Sequence, residues 1–292
     1  MKWRIGEVTV TKIVELEVTG GSRFILPQAT YEEILPICWL QPHFADERGR
    51  LKMSIHALVV ETPDRRIIVD TCLGNDKQDR RIPTWNNLQG PFLADLAAAG
   101  FPRESIDTVL CTHLHVDHVG WNTRLVDGSW VPTFPRARYL MGRVEYEHWE
   151  NQHRLNPERA INRGSFADSV LPVVATGQAE FVSTDHCVFD DREATFRFVP
   201  APGHTIGNMM IDLSSSHDHA VMSGDVIHHP IQCAAPWQSN AADFDREAAL
   251  ATRIRLLEQL ADTPSILLAA HFPAPTAGRV ISSGAAFRFD FH

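Results

Sequence analysis

The sequence predicts a mixed α/β fold, and three observations carry that expectation. Strand-like runs come first, helical stripes then separate later apolar strands, and the composition, 44% hydrophobic and 22% charged, is that of an ordinary globular chain. At 292 residues the chain is long enough to bury a large core, and one domain over residues 1–292 is expected. No apolar run is long enough to span a bilayer, so a membrane is not an expected partner.

Alternation at Val8, Val10 and Lys12 to Val14 reads as a half-buried strand. Residues 15–50 mix Gly20, Gly21, Pro27, Pro36 and Pro42 with Phe24, Ile34, Leu35, Trp39 and Phe44, too punctuated for a long element and too apolar for a linker. That segment either packs back on the sheet, walls a pocket or makes a subunit contact, the last implying a homodimer. Residues 53–61 and 66–70 read as strands joined at Thr62-Pro63-Asp64, a hairpin turn. Pro91, the stripe Phe92, Leu93, Leu96, Ala99 and the stop at Gly100 predict a short helix feeding the apolar strand Ile106, Val109, Leu110. Residues 136–141 read as strand and 144–153 as helix, whose His148 and His153 are surface or packing residues; residues 157–170 are helical or irregular. Strands are expected at 179–183, 194–199, 209–213, 221–224, 265–270 and 287–291. A helix over 243–261 is capped by Asp243, with Leu250, Ile254, Leu257 and Ala261 as its apolar stripe.

Function is concentrated in His113-Leu114-His115-Val116-Asp117-His118, which follows a buried strand and precedes the turn residue Gly120. Imidazole and carboxylate are common metal ligands and rarely crowd together without an ion. His113, His115 and Asp117 would point to one side of an extended chain, whereas adjacent Asp117 and His118 diverge unless the chain turns there. One short loop can therefore feed two metals.

This motif resembles the signature of the metallo-β-lactamase superfamily, and the rest of the chain carries similar counterparts of its other ligands. Pro202-Gly203-His204-Thr205 looks like the second ligand loop, Ser223-Gly224-Asp225 like the strand-end aspartate, and Ala270-His271 like the last histidine. The order and approximate spacing match over nearly the whole length. The resemblance implies a four-layer αββα sandwich with metals at the edge where strand-end loops gather. It implies that His113, His115 and His204 hold one ion, Asp117, His118 and His271 another, with Asp225 bridging; zinc is the expected metal, with manganese, cobalt or iron as alternatives. Asp70, in a loop similar to the family's own beside the metals, is expected to accept a hydrogen bond that orients a ligating histidine. The implied reaction is hydrolysis by a metal-bridging hydroxide, with no side-chain nucleophile. Neither a G-x-S-x-G elbow nor a P-loop is present.

Within the superfamily the chain is similar to quorum-quenching lactonases and to methyl-parathion-hydrolase-like members. Asp117 could relay a proton to the leaving group as well as ligate. His228 stands where the lactonases carry a substrate-contacting tyrosine and the methyl-parathion-hydrolase-like members a histidine. It either bonds the substrate oxygen, orients Asp225 or is an inert exposed residue. Residues 229–237 are expected to line the same mouth. Asp225 argues against a true β-lactamase, and a net charge of −9 without basic runs argues against nucleic acid. Phe24, Leu26, Trp39, Trp121 and Trp237 point to a small-molecule substrate with a hydrophobic part, a lactone or carboxylic ester first and an organophosphate triester second. Iron-dependent redox members, such as persulfide dioxygenases, and a non-catalytic metal-stabilised module are the other classes. Five scattered cysteines (Cys38, Cys72, Cys111, Cys187, Cys233), with no C-x-x-C, read as free thiols, Cys111 being a core residue of its strand. With an N-terminus lacking an apolar leader core, they predict a cytoplasmic location.

Overall fold

The computed structural model describes residues 1–156 and 164–291. It gathers them into two compact units, the first comprising Met1–Arg4, Val8–Glu15 and Ile55–Thr184, the second Ile5–Glu7, Leu16–Ser54 and Asp185–His292.

In chain order, β1 (Lys2–Ile5) and β2 (Val8–Thr19) lead through a helical turn, α1 (Tyr31–Ile34), to β3 (Lys52–Glu61) and β4 (Arg66–Val69). The β3–β4 pair is antiparallel around the expected turn, with Glu61 opposite Arg66. Next come α2 (Phe92–Ala98), β5 (Thr108–Leu110), α3 (Val116–Val119), β6 (Thr123–Val126), β7 (Ser129–Pro132), β8 (Arg138–Gly142), α4 (Arg143–Leu155), α5 (Leu171–Ala175) and β9 (Ala179–Val182). The first seven-stranded sheet runs β1-β2-β3-β4-β5-β8-β9, and β4, β5, β8 and β9 are mutually parallel. Parallel strands need crossovers and are covered on both faces, which is why all three residues of β5, Thr108, Val109 and Leu110, are buried.

The second sheet comprises β10 (Cys187–Asp190), β11 (Thr195–Pro200), β12 (Met209–Ser215), β13 (Asp218–Met222), β14 (Ile266–Leu268), β15 (Ala277–Ser283) and β16 (Ala286–Asp290), in that order. It is an antiparallel meander except at β13–β14, which pair in parallel. The long connection between them contains α6 (Ile231–Ala234) and α7 (Arg246–Leu260). Phe44, Phe272 and Phe289 meet in the core of this unit at ring separations of 5.0–6.3 Å.

Most predicted elements are present, and the departures have physical causes. The hairpin β6–β7 turns at Asp127-Gly128, both with positive φ (49° and 78°), an Asp-Gly turn signal masked by the neighbouring aromatic and proline residues. The strands β1, β10 and β15 are further additions to the expected set. The cap of α7 is Asp245, which accepts from the backbone N–H of Glu247 and Ala248; Asp243 is used elsewhere. The buried face of α7 is Ala249, Thr252, Arg253, Leu256, Leu257 and Leu260, leaving Ile254 exposed. Arg253 occupies that face because it donates to the carbonyls of Val226, Pro236 and Gln238, a use that hydrophobic periodicity does not register. The expectation over 157–170 falls partly on residues 157–163, outside the described residues; Phe166–Val170 is a π-helical turn.

Candidate metal centre

At the C-terminal end of β5 the chain of the first unit leaves the sheet through Cys111 and Thr112 and delivers the histidine cluster. His115 has an extended conformation (φ −69°, ψ 157°), and the helical turn α3 begins at Val116, so Asp117 and His118 project from a helix. That turn is the change of direction the sequence requires. His113, His115 and His118 are all buried, with ring centroids of His113 4.7 Å from His115 and 4.0 Å from His118.

The orientation of these rings follows from their second nitrogens. The Nδ1 of His118 lies 2.8 Å from Asp70 Oδ2, and a carboxylate only accepts, so Nδ1 carries the proton and Nε2 keeps its lone pair. The Thr112 hydroxyl donates to the same carboxylate at 2.8 Å, leaving its oxygen to accept from His113 Nδ1 at 3.1 Å. His113 is thereby set in the same tautomer. Asp70 also accepts from the Thr112 backbone N–H at 2.8 Å, so it does what the sequence expects of it. Glu145, buried on α4, accepts from the Leu114 N–H and from the Trp149 indole, fixing the loop from its other side.

The second unit repeats the same logic. His204 Nδ1 donates to Asp243 at 2.9 Å and His271 Nδ1 to the Ser54 carbonyl at 3.1 Å. Their Nε2 atoms lie 3.2 Å and 3.1 Å from the two oxygens of Asp225. His228 brings a third imidazole, with Nε2 3.1 Å from Asp225 Oδ2. The Asn240 amide is fixed by the Ala242 N–H donating to its oxygen, so its NH2 faces His228 Nε2 at 2.6 Å and donates to it. Ring lone pairs thus converge on a carboxylate, and such an arrangement is repulsive unless a cation sits among them. Without a metal the same field draws a proton instead: burial opposes a charge on His204, but Asp225 and Asp243 outweigh it and push its pKa up to about 9, so that a proton on Nε2 takes the place a cation would fill. His, His and carboxylate donors with the second nitrogens already held fit a divalent transition metal.

Residues 52–271 match the family model of the metallo-beta-lactamase superfamily. The chain belongs to the metallo-beta-lactamase superfamily. Curated relatives include a probable metallo-hydrolase of Mycobacterium bovis and another of Mycobacterium tuberculosis. Each is 25% identical over 199 residues, covering 61% of this chain and 58% of the relative. The alignment thus spans little more than half the length of those relatives. Among solved structures, AidC, a dizinc quorum-quenching lactonase in complex with a product, superposes with a TM-score of 0.78 at 24% identity, covering 100% of this chain and 97% of that one. The hydrolase AbOPH gives a TM-score of 0.79 at 24% identity, covering 100% and 97%. The AiiA protein of B. thuringiensis gives 0.57 at 15% identity over 88% of this chain and 90% of that one. The shared feature at these identities is the metallo-beta-lactamase fold.

Within that fold the structure revises several expectations about the surroundings of the site. His228 is buried, which removes the inert exposed reading, and burial holds its pKa low. Leu26 is a core residue, and Trp121 is stacked on Phe92 at 5.7 Å, so neither is a pocket wall of the kind expected. His229 donates to the Phe44 carbonyl and accepts from the Ile231 N–H, which makes the start of residues 229–237 interior structure. Trp237 and Phe24 are exposed as a wall would require. Asp243, Asn240 and Glu145 are supporting residues that no motif marks; each stands among other polar and charged residues, so nothing in the sequence singles it out for the site. His148 and His153 pack against Trp149 and Phe166, in keeping with a structural role.

Proposed function

We propose that the protein is a dinuclear metal-dependent hydrolase of a small lactone or carboxylic ester bearing a hydrophobic part. The observation that carries this reading is the common tautomer of His113, His118, His204 and His271, each with Nδ1 held by an acceptor and Nε2 left as a donor to a cation. In this reading, which the family resemblance suggests, His113, His115 and His204 would hold one ion and Asp117, His118 and His271 the other, with Asp225 available to both. Two divalent ions, zinc by default, would supply an activated water and a Lewis acid for the substrate carbonyl. Asp117, a carboxylate beside the reacting centre, accepts a proton and returns it to the leaving oxygen. His228, whose Nε2 accepts from the Asn240 amide, presents an imidazole beside Asp225 on the substrate side. Exposed Phe24, Trp237, Ile206 and Phe244 offer apolar surface in the unit that carries His204, and the Phe244 N–H is bonded to the His204 carbonyl. Five free cysteines agree with residence in a reducing compartment such as the cytoplasm.

A phosphotriester is the second reading, favoured by the histidine at position 228. A panel of an acyl-homoserine lactone, an aryl ester, a phosphotriester and a β-lactam separates the cases. The expected result is lactone or ester turnover that falls by at least about 100-fold in His118→Ala. Oxygen consumption with one iron per chain and no hydrolysis would replace this reading with a redox one.

A further inference from the structure

The loop that holds Asp70 is itself held by a carboxylate that the proposed chemistry does not use. Asp70 and Cys72 both have left-handed backbones (φ 55° and 53°), a conformation that strains a non-glycine residue and persists only where the surroundings impose it. Three backbone bonds zip this loop to the end of α3: Thr71 N–H to the His118 carbonyl, Gly120 N–H to Cys72 and Trp121 N–H to Thr71, at 2.7–2.8 Å. The approach is so close that a Cβ on Gly120 would lie 1.9 Å from the Leu73 carbonyl. At the far end sits Glu15, from β2. One carboxylate oxygen accepts from the Leu73 N–H at 2.7 Å, the other from the Gly74 N–H at 3.0 Å and from the Trp121 indole at 2.6 Å.

Glu15 therefore ties together the residues that follow Asp70 and the residues that follow His118. Those are the two ends of the bond that sets the His118 tautomer. We propose that Glu15 is a positioning residue for the metal centre, acting through the Leu73–Gly74 loop and Trp121 to hold Asp70 against His118. The inference rests on the proposed metal-centre reading for its consequence and on the first unit alone for its geometry. Removing the carboxylate leaves three N–H donors without their acceptor and lets the strained loop relax. Asp70 then no longer fixes which ring nitrogen of His118 is protonated.

The test uses the full chain, 15N-labelled and metal-free, with the His118 tautomer read from long-range proton–nitrogen spectra. Wild-type protein is expected to show the single Nδ1-protonated form. Glu15→Ala should show exchange between both tautomers, and Glu15→Gln should restore the single form in large part, because its amide oxygen still accepts from Gly74 and Trp121. His219, held by Asp212 and Ser265 in the second unit, is the internal control and should be unchanged. In the zinc-loaded proteins, release of metal to a chelator should be about tenfold faster in Glu15→Ala than in wild type, with Glu15→Gln between them. An unchanged His118 tautomer and unchanged zinc release in Glu15→Ala, alongside a lower melting temperature, would overturn the proposal and leave Glu15 a structural residue. Should Glu15→Ala fail to fold, Trp121→Phe removes one donor and must move the same two readouts in the same direction. Failure of the wild-type protein to bind zinc would remove the metal-centre reading, while the tautomer spectra still decide the role of Glu15.

Discussion

His204 shows how much of a candidate metal site lies outside its proposed ligands. Its Nδ1 proton is held by Asp243, whose other oxygen accepts from the Asn240 N–H, and Asn240 in turn donates to His228. One chain of hydrogen bonds thus orients two imidazoles beside Asp225. Partners of this kind are typically worth 10–100-fold in metal affinity. Asp243→Ala should accordingly weaken zinc binding by about 10–100-fold while the unfolding midpoint of the metal-free protein changes far less, as competition with a coloured chelator would read. Equal zinc affinity in the variant would remove Asp243 from the site. The histidines and aspartates themselves are legible in sequence because their spacing is tight and their chemistry unusual. Asp243 is not: standing just before a helix, it matches a capping residue equally well, and only the fold shows that Asp245 takes that task.

Elements were legible where one physical pattern dominated. The parallel strand β5 is a short apolar run before the histidines, and α2 has a clear start at Pro91 and stop at Gly100. The face of α7 was not, because a buried arginine breaks the apolar stripe. The connection from β13 to α7 hides a further buried polar group, His229, just before α6. Its two ring nitrogens are satisfied only in the neutral form, with Nε2 donating to Phe44 and Nδ1 accepting from Ile231. Burial lowers its pKa from 6.5 to about 4. A histidine with a depressed folded pKa costs nothing above its unfolded pKa and penalises the folded state as pH falls below it. Stability should therefore be lost between pH 6.5 and about 4, by about 3 kcal/mol in all from this one group. Denaturant unfolding of His229→Gln against wild type across that range checks it. The stability gap between them should narrow by about that amount as the pH falls, and parallel curves would contradict the assignment.

At the scale of the molecule, the family match over residues 52–271 includes all seven proposed ligands, from His113 to His271. Contacts within each unit account for the orientation of individual rings, whereas the pairing of ligands into two sites is an inference from the family resemblance. Among the described residues no helix is long and apolar enough to cross a membrane. The acidic balance of the whole chain, with a net charge of −9, suits a protein that binds cations and a small substrate better than one that binds nucleic acid. If two metal ions act together in hydrolysis, the stoichiometry of activation shows it. Protein stripped by a chelator would be titrated with zinc while hydrolysis of a lactone is followed. Activity should rise with added zinc and saturate at two equivalents per chain. A plateau at one equivalent, or no recovery with zinc and oxygen uptake with iron instead, would contradict the dinuclear reading.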